Sequence, residues 1–497
     1  MLIKTDPETF KTYFEDSSNL KGGHAEGAVF PQDIDELSNF LNDNYPKKTP
    51  VTISAGGTGT AGARIPFGGY LISMERFNNV IDISKANRQA TVQAGLLVED
   101  LKNAAEKNGL FYASHPTERT AFVGGTVATN ASGSRSFKYG PTRKYIKRLK
   151  MVLSDGEILE VRRGEIFLRR GDSTLKLESG RQINIPLPDY KMPDIKNSAG
   201  YFAKDGMDLI DLFIGQEGTL SVIAEIELEL VEKPSKILSA FVFFREERDS
   251  WNFAEEAKRL SRSIPSKDGF TPDALSIEYF DHNALRLLSA KDRNVPKDMN
   301  AAIFFEQGVT GEDNEDRLTE AWLKLISRYS ASLDDTWVAM NEREARRFTE
   351  LRHAVPETIN DIVKRSGFQK LSTDIAVPDD KFGRMMNFYV DTFKKERVEH
   401  VIFGHIGESH VHVNILPKSK EELAKTKDIA FEFVNKGVSL GGTVSAEHGI
   451  GKTKHRYLEE MYGKAGILEM ARIKKSLDPN CILGLDNIFP KEILSLI

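Results

Sequence analysis

Short apolar runs alternate with longer amphipathic ones from about residue 25 to 232, and the pattern predicts strands and helices in turn. Residues 51–54 predict a strand ending in a glycine loop, residues 88–92 a second strand, and residues 98–108 a helix. Residues 149–153 and 158–162, joined by the turn signal Ser154-Asp155-Gly156-Glu157, predict a hairpin. The alternation over 221–228 is that of a half-exposed strand. Lys233-Pro234-Ser235 interrupts the pattern and predicts a boundary. Beyond it, strands over 238–244, 275–280, 301–307 and 400–406 are separated by amphipathic helices over 250–264 and 313–329. This reads as an antiparallel sheet with helices on one side. A further strand, 410–416, follows Gly407-Glu408-Ser409. From residue 418 the chain is mostly helical and reaches Leu477-Asp478-Pro479-Asn480. The expectation is an α+β chain with domains at 1–232 and 233–417 and a helical C-terminal segment at 418–497. No internal repeat interrupts it.

A chain of 497 residues with 40% hydrophobic content can bury two or three cores. With 68 basic and 73 acidic residues, the net charge of −5 argues against bulk nucleic-acid binding. One basic stretch stands out, formed by Arg135, Lys138, Arg143, Lys144, Lys147, Arg148 and Lys150. It is either a solvated face or a contact for an anionic cofactor, a partner or a membrane surface. The single cysteine, Cys481, excludes an intrachain disulfide framework and a self-contained iron–sulfur cluster, and fits a reducing compartment. The start lacks a basic and apolar leader, and no charge-free window reaches membrane-spanning length. The expected location is cytoplasmic, with room for peripheral contact at the inner face of a membrane.

The chemistry concentrates late in the chain, where six of the ten histidines fall between His400 and His455. Imidazoles and carboxylates interleaved with glycine suit a divalent metal beside a general base. If the strands around residues 407–409 form a hairpin, His405 and His412 can meet across it. His410, His412 and Asn414 should share one face of their strand. Glu447 would complete a site of two histidines and one carboxylate, and His448 is the candidate base, since imidazole titrates near neutrality. The plainer alternative gives the same histidines structural hydrogen bonds only.

Three glycine-rich tracts mark the N-terminal half. Gly57-Thr58-Gly59-Thr60-Ala61-Gly62 matches a dinucleotide fingerprint after a strand, with Glu75 near the place of a ribose-binding acid. The nicotinamide reading fails, because Pro66 and Gly68-Gly69 follow at once and no helical period begins. What remains is a phosphate cradle made of backbone N–H groups over Ala55, Gly56, Gly57, Thr58, Gly59, Thr60 and Gly62. The second tract runs from Gly124, Gly125 and Thr126 through Thr129 and Asn130 to Gly133, and could let a flat ring lie against backbone. Lys138-Tyr139-Gly140 follows it. The third is Gly215-Gln216-Glu217-Gly218-Thr219-Leu220. Ordinary tight turns would explain any one of them alone.

In this order and spacing the tracts resemble the FAD-binding domain of flavoproteins of the vanillyl-alcohol oxidase type. Ser372-Thr373-Asp374, Val377-Pro378, the two histidine clusters and Leu477-Asp478-Pro479-Asn480 resemble the FAD-linked D-2-hydroxy-acid dehydrogenases within that group. These include D-lactate dehydrogenase, D-2-hydroxyglutarate dehydrogenase and the FAD subunit of glycolate oxidase. The resemblance runs from about residue 30 to 490. It implies a two-subdomain FAD-binding domain, an antiparallel substrate (cap) domain, and FAD held non-covalently, since Thr58 stands where many relatives carry a flavin-linked histidine. His115 is the nearest alternative for such a link. The resemblance adds Pro116, Thr117, Ile223 and Asn487 to the cofactor contacts. It also implies zinc or manganese at His405, His412 and Glu447, and Arg352 for the substrate carboxylate, with Asn414 as a further substrate contact; His410, an extra histidine outside the pattern, is a third ligand, a donor behind the ligands or a further substrate contact. The implied reaction removes the hydroxyl proton to His448 while hydride leaves Cα for flavin N5; a route through a carbanion stays open.

The chain departs from that pattern in two places. Gly407-Glu408-Ser409-His410 replaces the usual Gly-Asp-Gly-Asn. Ser372 stands where dehydrogenases of D-2-hydroxyglutarate carry a lysine, which favours a short substrate such as D-lactate. Implied partners are a small 2-hydroxy acid and an electron acceptor (a quinone, a cytochrome or an electron-transfer flavoprotein); a homodimer is compatible with these. Three rivals stand beside this reading. One is an alkylglycerone-phosphate synthase-like flavin transferase, whose tract of adjacent histidines Val411 would interrupt. The others are a non-catalytic flavin-binding accessory subunit and a hydrolytic metal site.

Overall fold

The computed structural model describes residues 1–114, 116–263, 271–309, 315–329, 333–334 and 336–497. His115, the alternative for a covalent flavin link, lies outside the described residues, as do the ends of the helices expected at 250–264 and 313–329. The chain folds into two compact units. The first comprises Met1–Gly133, Pro141–Lys233 and Ser445–Ile497; the second comprises Ser134–Gly140 and Pro234–Val444.

The first unit holds two main sheets. In one, Leu2–Lys4, Gly27–Phe30, Tyr70–Ser73 and Val51–Ser54 lie in that order, with Tyr70–Ser73 parallel to both Gly27–Phe30 and Val51–Ser54. Phe10, Ala28, Phe30 and Leu71 pack together over it. The glycine loop leaves the end of Val51–Ser54, and no helix forms before Tyr70. The other sheet is antiparallel, in the order Val80–Ser84, Gln89–Gln93, Val222–Glu229, Ile146–Val152, Ile158–Arg162. The predicted helix forms as Val98–Lys107, with Glu99 and Asp100 in its first turn and Lys107 in its last, as the helix dipole favours. One element escaped the periodicity. Val123–Ala128 is a short helix in the second glycine tract, where small residues allow close packing: a Cβ on Gly124 would lie 2.6 Å from that of Ala94.

The second unit is built on an eight-stranded sheet. Its order is Trp337–Val338, Lys236–Phe244, Ala301–Val309, Ala274–Asp281, His400–Gly404, His410–Ile415, Leu371–Ser372, with Ile375–Ala376 also paired to His410–Ile415. The mixed helix-and-sheet class is as expected, but helices cover both faces rather than one. Phe241 meets Phe348 of the helix Glu342–Ser366, whereas Phe244 meets Phe253 of the helix Glu247–Arg262. Residues 241 and 244 project from opposite faces of one strand. The reason is visible in Ala274–Asp281, whose side chains are all buried: continuous apolar runs signal two-sided burial, where alternation would signal one.

The C-terminal stretch is divided. The helix Lys420–Ser439 belongs to the second unit, and His455–Leu477 to the first. The chain changes units at the non-helical stretch around Gly441, Gly442 and Ser445, so a segment starting at 418 is not one body.

In the second unit Phe305 and Trp322 stack at 3.8 Å between centroids, with the indole N–H donating to Gln307 Oε1 at 3.2 Å. Trp322→Ala should cost the second unit about 3–5 kcal/mol, the usual range for a buried aromatic. Urea denaturation followed by far-UV circular dichroism checks it, with flavin content as the control.

Candidate active site

The histidine cluster is assembled by one hairpin. His400–Gly404 pairs antiparallel with His410–Ile415, in a register that sets Phe403 opposite His412 and Val401 opposite Asn414. Gly404 then turns the chain at φ 122°, and a Cβ there would sit 2.9 Å from His412 Cδ2. Only glycine satisfies both conditions. A short 3-10 turn, Ile406–Glu408, follows, and Ser409 closes it at φ 52°. That strained turn is pinned by Lys258, whose Nζ donates to Ser409 Oγ at 2.8 Å and to Asp379 at 2.9 Å.

The hairpin brings His405, His410 and His412 together. Their ring centroids lie 4.7–5.4 Å apart, and each offers a nitrogen within 4.8 Å of the others'. None is more than 9% exposed. A buried set of imidazole nitrogens suits a divalent ion of the zinc type. Asn414, on the same face, is buried, and its Nδ2 has no hydrogen-bond partner among the described residues.

Three acids stand around these groups: Asp374, which the sequence offered only as part of a motif, and Glu278 and Glu306, which it did not single out. Glu278 Oε1 meets His405 Nδ1 at 2.7 Å, and its Oε2 lies 3.5 Å from Arg352 Nε. Asp374 Oδ1 meets His410 Nε2 at 3.0 Å. Glu306 takes two bonds from Arg135, at 2.7 and 2.9 Å. Burial alone would raise the Glu306 carboxyl, but the Arg135 guanidinium outweighs it and holds it below its ordinary range. A lone acid in the apolar run Leu275-Ser276-Ile277-Glu278-Tyr279-Phe280 was the available signal for Glu278. Arg352 lies on the long helix Glu342–Ser366; Pro356, four residues on, cannot donate to its carbonyl.

In the first unit the three glycine tracts come together. A Cβ on Gly56 would be 2.5 Å from Thr120 O, one on Gly125 3.1 Å from Ala55 Cβ, and one on Gly218 3.3 Å from Ile53. Gly215 and Glu217 donate their N–H groups to Val127 O and Ala128 O. The hydroxyls expected to face a cofactor are otherwise engaged: Thr126 donates to Val123 O, Thr129 to Gly125 O and Thr219 to Gln216 O. Asn130 Oδ1 accepts from the Arg143 N–H. Asn487 bonds to Ala63 O, Glu217 O and Lys452. These hydrogen bonds tie the three tracts to one another and to their own backbone. Ile223 is buried in the strand Val222–Glu229, and Thr117 is exposed beside Pro116. Lys138, Tyr139 and Gly140 belong to the other unit, where Lys138 pairs with Asp273 at 2.5 Å. Glu75 hydrogen-bonds to Tyr13 and Ser73.

Glu447 is met by Lys196, Nζ to Oε2 at 2.7 Å, and lies 3.4 Å from His448 Nε2. Lys196, only 4% exposed, carried no sequence signal. His448 is 31% exposed, open enough to exchange a proton. Of the basic stretch, Arg135, Lys138, Arg143, Lys147 and Arg148 are ion-paired within the chain, so it offers less free charge than its sequence suggests.

A chain whose first unit gathers three glycine tracts and whose second carries a large antiparallel sheet matches the flavin-dependent oxidoreductases. A family model for the FAD binding domain matches residues 25–162, and one for the C-terminal domain of FAD linked oxidases matches residues 254–485. Together the two models match most of the chain, which thus carries both the FAD binding domain and the C-terminal domain of FAD linked oxidases. The chain is 26% identical over 94% of its length to the glycolate oxidase subunit GlcD of Bacillus subtilis, covering 89% of that protein. It is 27% identical over 92% of its length to a D-lactate dehydrogenase of Anaerostipes hadrus, covering 87% of it. Among solved structures it resembles an alkyldihydroxyacetonephosphate synthase, with a TM-score of 0.66 at 15% identity, over 97% of this chain and 82% of that one. That likeness is one of fold. No helix among the described residues is long and apolar enough to cross a membrane.

Glu217 provides a pH test of the cradle. Its carboxyl is buried and accepts from the N–H groups of Ile450 (2.8 Å) and Gly451 (2.6 Å); burial pushes its pKa from 4.5 up to about 7, against those bonds. Between these values the folded chain holds a proton that the unfolded chain has released. The group's stabilising contribution is therefore complete below 4.5 and is lost as pH rises through 7. The melting-temperature gap between wild type and Glu217→Gln should narrow as pH rises from 5 to 7.5, measured by scanning calorimetry at constant FAD.

Proposed function

We propose that this protein is an FAD-dependent dehydrogenase of D-2-hydroxy acids, with D-lactate the leading substrate. The observation that carries the reading is the buried three-histidine hairpin in a chain that carries the C-terminal domain of FAD linked oxidases, with Arg352 held beside it by Glu278. Relatives named for glycolate, D-lactate and D-2-hydroxyglutarate support the substrate class.

Bound FAD, held non-covalently, supplies the acceptor for a hydride. The donor chemistry of His405 and His412 fits a divalent ion such as zinc or manganese, and Glu447 is assigned as the third ligand. An ion held there would lower the pKa of the substrate hydroxyl. Arg352 pairs with the substrate carboxylate, using the planar fork that suits such a group. Asn414 and His410, on the His412 face, orient the substrate. His448 takes the hydroxyl proton as hydride leaves Cα. The electron acceptor that reoxidises the protein is a quinone, a cytochrome or an electron-transfer flavoprotein. Ser372, paired in register with Asn414, presents a small neutral side chain where a second substrate carboxylate would need a cation.

The test is spectroscopic. Added anaerobically to the purified flavoprotein, D-lactate should bleach the flavin band and L-lactate should not. A flavin that no 2-hydroxy acid bleaches would move the assignment to a transferase or an accessory subunit. His448→Ala should retain FAD and lose more than about tenfold in turnover, since a positioned base typically contributes 10²–10⁴. A smaller loss overturns the base assignment.

A further inference from the structure

We propose that Glu278 is the residue that positions both the metal-binding and the carboxylate-binding side of the site, by fixing the ring of His405 and the guanidinium of Arg352 with its two oxygens. This rests on the reading above, in which His405 is a ligand and Arg352 the substrate cation.

Glu278 stands in the middle of Ala274–Asp281, a strand buried along its whole length, and its own side chain is 3% exposed. A carboxylate there is costly unless it is matched. Oε1 faces His405 Nδ1 at 2.7 Å, close enough for a strong hydrogen bond. With Nδ1–H donating to Glu278, the neutral ring presents Nε2 as its ligating nitrogen. A metal-ligating histidine characteristically has its second nitrogen held in this way, which fixes ring orientation and raises basicity. Oε2 lies 3.5 Å from Arg352 Nε, on the side edge of the guanidinium. That contact is an ion pair, and Arg352 Nη1 also meets His353 Nε2 at 3.3 Å; together they fix where the guanidinium charge sits.

The arrangement extends behind the site. The positive charge of Arg352 also helps hold Glu306 ionised; Glu306 is doubly bonded to Arg135 and lies 3.3 Å from Ser276 Oγ. Arg135, Glu306, Arg352, Glu278 and His405 thus form a ladder of alternating groups within the second unit. Each carboxylate has a cation on one side, and the last one has an imidazole on the other. Glu278 is the rung at which the two functions meet. Its loss would free His405 and Arg352 at once, whereas loss of Glu306 would touch only the arginine side.

The experiment compares wild type, Glu278→Gln and Glu278→Ala as intact flavoproteins. The metal is stripped with a chelator, and Zn2+ is titrated back in competition with a chromophoric chelator. Glu278→Ala should bind Zn2+ about 10–100-fold more weakly, the usual effect of losing a group behind a ligand. Glu278→Gln, which keeps an acceptor for the Nδ1–H but lacks the charge, should lose less. Both should raise KM for D-lactate more than they lower kcat, because Arg352 is loosened in each. Flavin absorbance reports that the variants are folded, and Glu278→Gln, nearly isosteric, covers a failure of the alanine variant to fold. Equal Zn2+ affinity in all three proteins overturns the positioning role while leaving the dehydrogenase reading intact. A wild type that binds no Zn2+ and is not bleached by D-lactate overturns both.

Discussion

A carboxylate taken out of water must be met by a cation or by several N–H groups, and this constraint orders both units. In the first, Glu217 is met by two backbone N–H groups of residues 450–451, Glu447 by Lys196, and Asp478 by Lys474, whose ammonium also reaches Thr219 O. In the second, Glu306 is met by Arg135, Glu278 by His405 and Arg352, and Asp374 by His410. Most of these pairs join elements distant in the chain. They fasten the chemistry-bearing side chains to partners that cannot move without exposing a charge. Removing one partner of such a pair typically costs about 3–5 kcal/mol, far more than a surface pair contributes.

The cofactor side follows a second rule. Tracts 55–62, 124–133 and 215–220 approach so closely that a methyl group on Gly56 or Gly124 would collide with a neighbour. Close approach consumes side-chain hydroxyls: Thr126, Thr129 and Thr219 all bond back to nearby carbonyls. On the proposed reading, a phosphate or a flat ring placed there meets backbone, which has fixed directions and no rotamers to order. Asn487 and Lys452 brace this surface from behind, and burial lowers the Lys452 ammonium to about 8.

Much of this was legible in the sequence, and the reasons it was not elsewhere are physical. The hairpin 400–415 could be read because strand alternation and a glycine turn are local signals, and it brings His405 and His412 together as its pattern implies. The loop at 55–62 was recognisable as a cradle without a helix because Pro66 and Gly68-Gly69 forbid one. Two-sided burial of the second unit's sheet was missed, although Phe241-Val242-Phe243-Phe244 carries it: four apolar residues in a row on one strand need cover on both faces. Glu278, Asp374 and Lys196 could not be placed from the chain alone. Their roles depend on partners at separations of 127, 36 and 251 residues, which no local period encodes. The passage of Ser134–Gly140 into the second unit is likewise a tertiary fact, set by the pairing of Arg135 with Glu306 and Lys138 with Asp273.

On the proposed reading, substrate choice turns on what surrounds Asn414. Its strand neighbour across the register is Ser372, a small side chain that reaches the same face without charge. Along its own strand the next residues on that face are His412 and His410, and His410 is fully buried against Asp374. A histidine there, in place of the asparagine expected from the resemblance, has one ring nitrogen engaged with Asp374 and its ring 4.7 Å from that of His412. It therefore braces the ligand face as well as lining it. On the proposed reading, one end of the substrate is fixed strongly, by Arg352. The far end meets a hydroxyl and an amide, which solvate a methyl or hydroxymethyl group at little cost but cannot neutralise a second carboxylate. On that reading it is the charge balance of the site, more than its size, that would favour a short monocarboxylate.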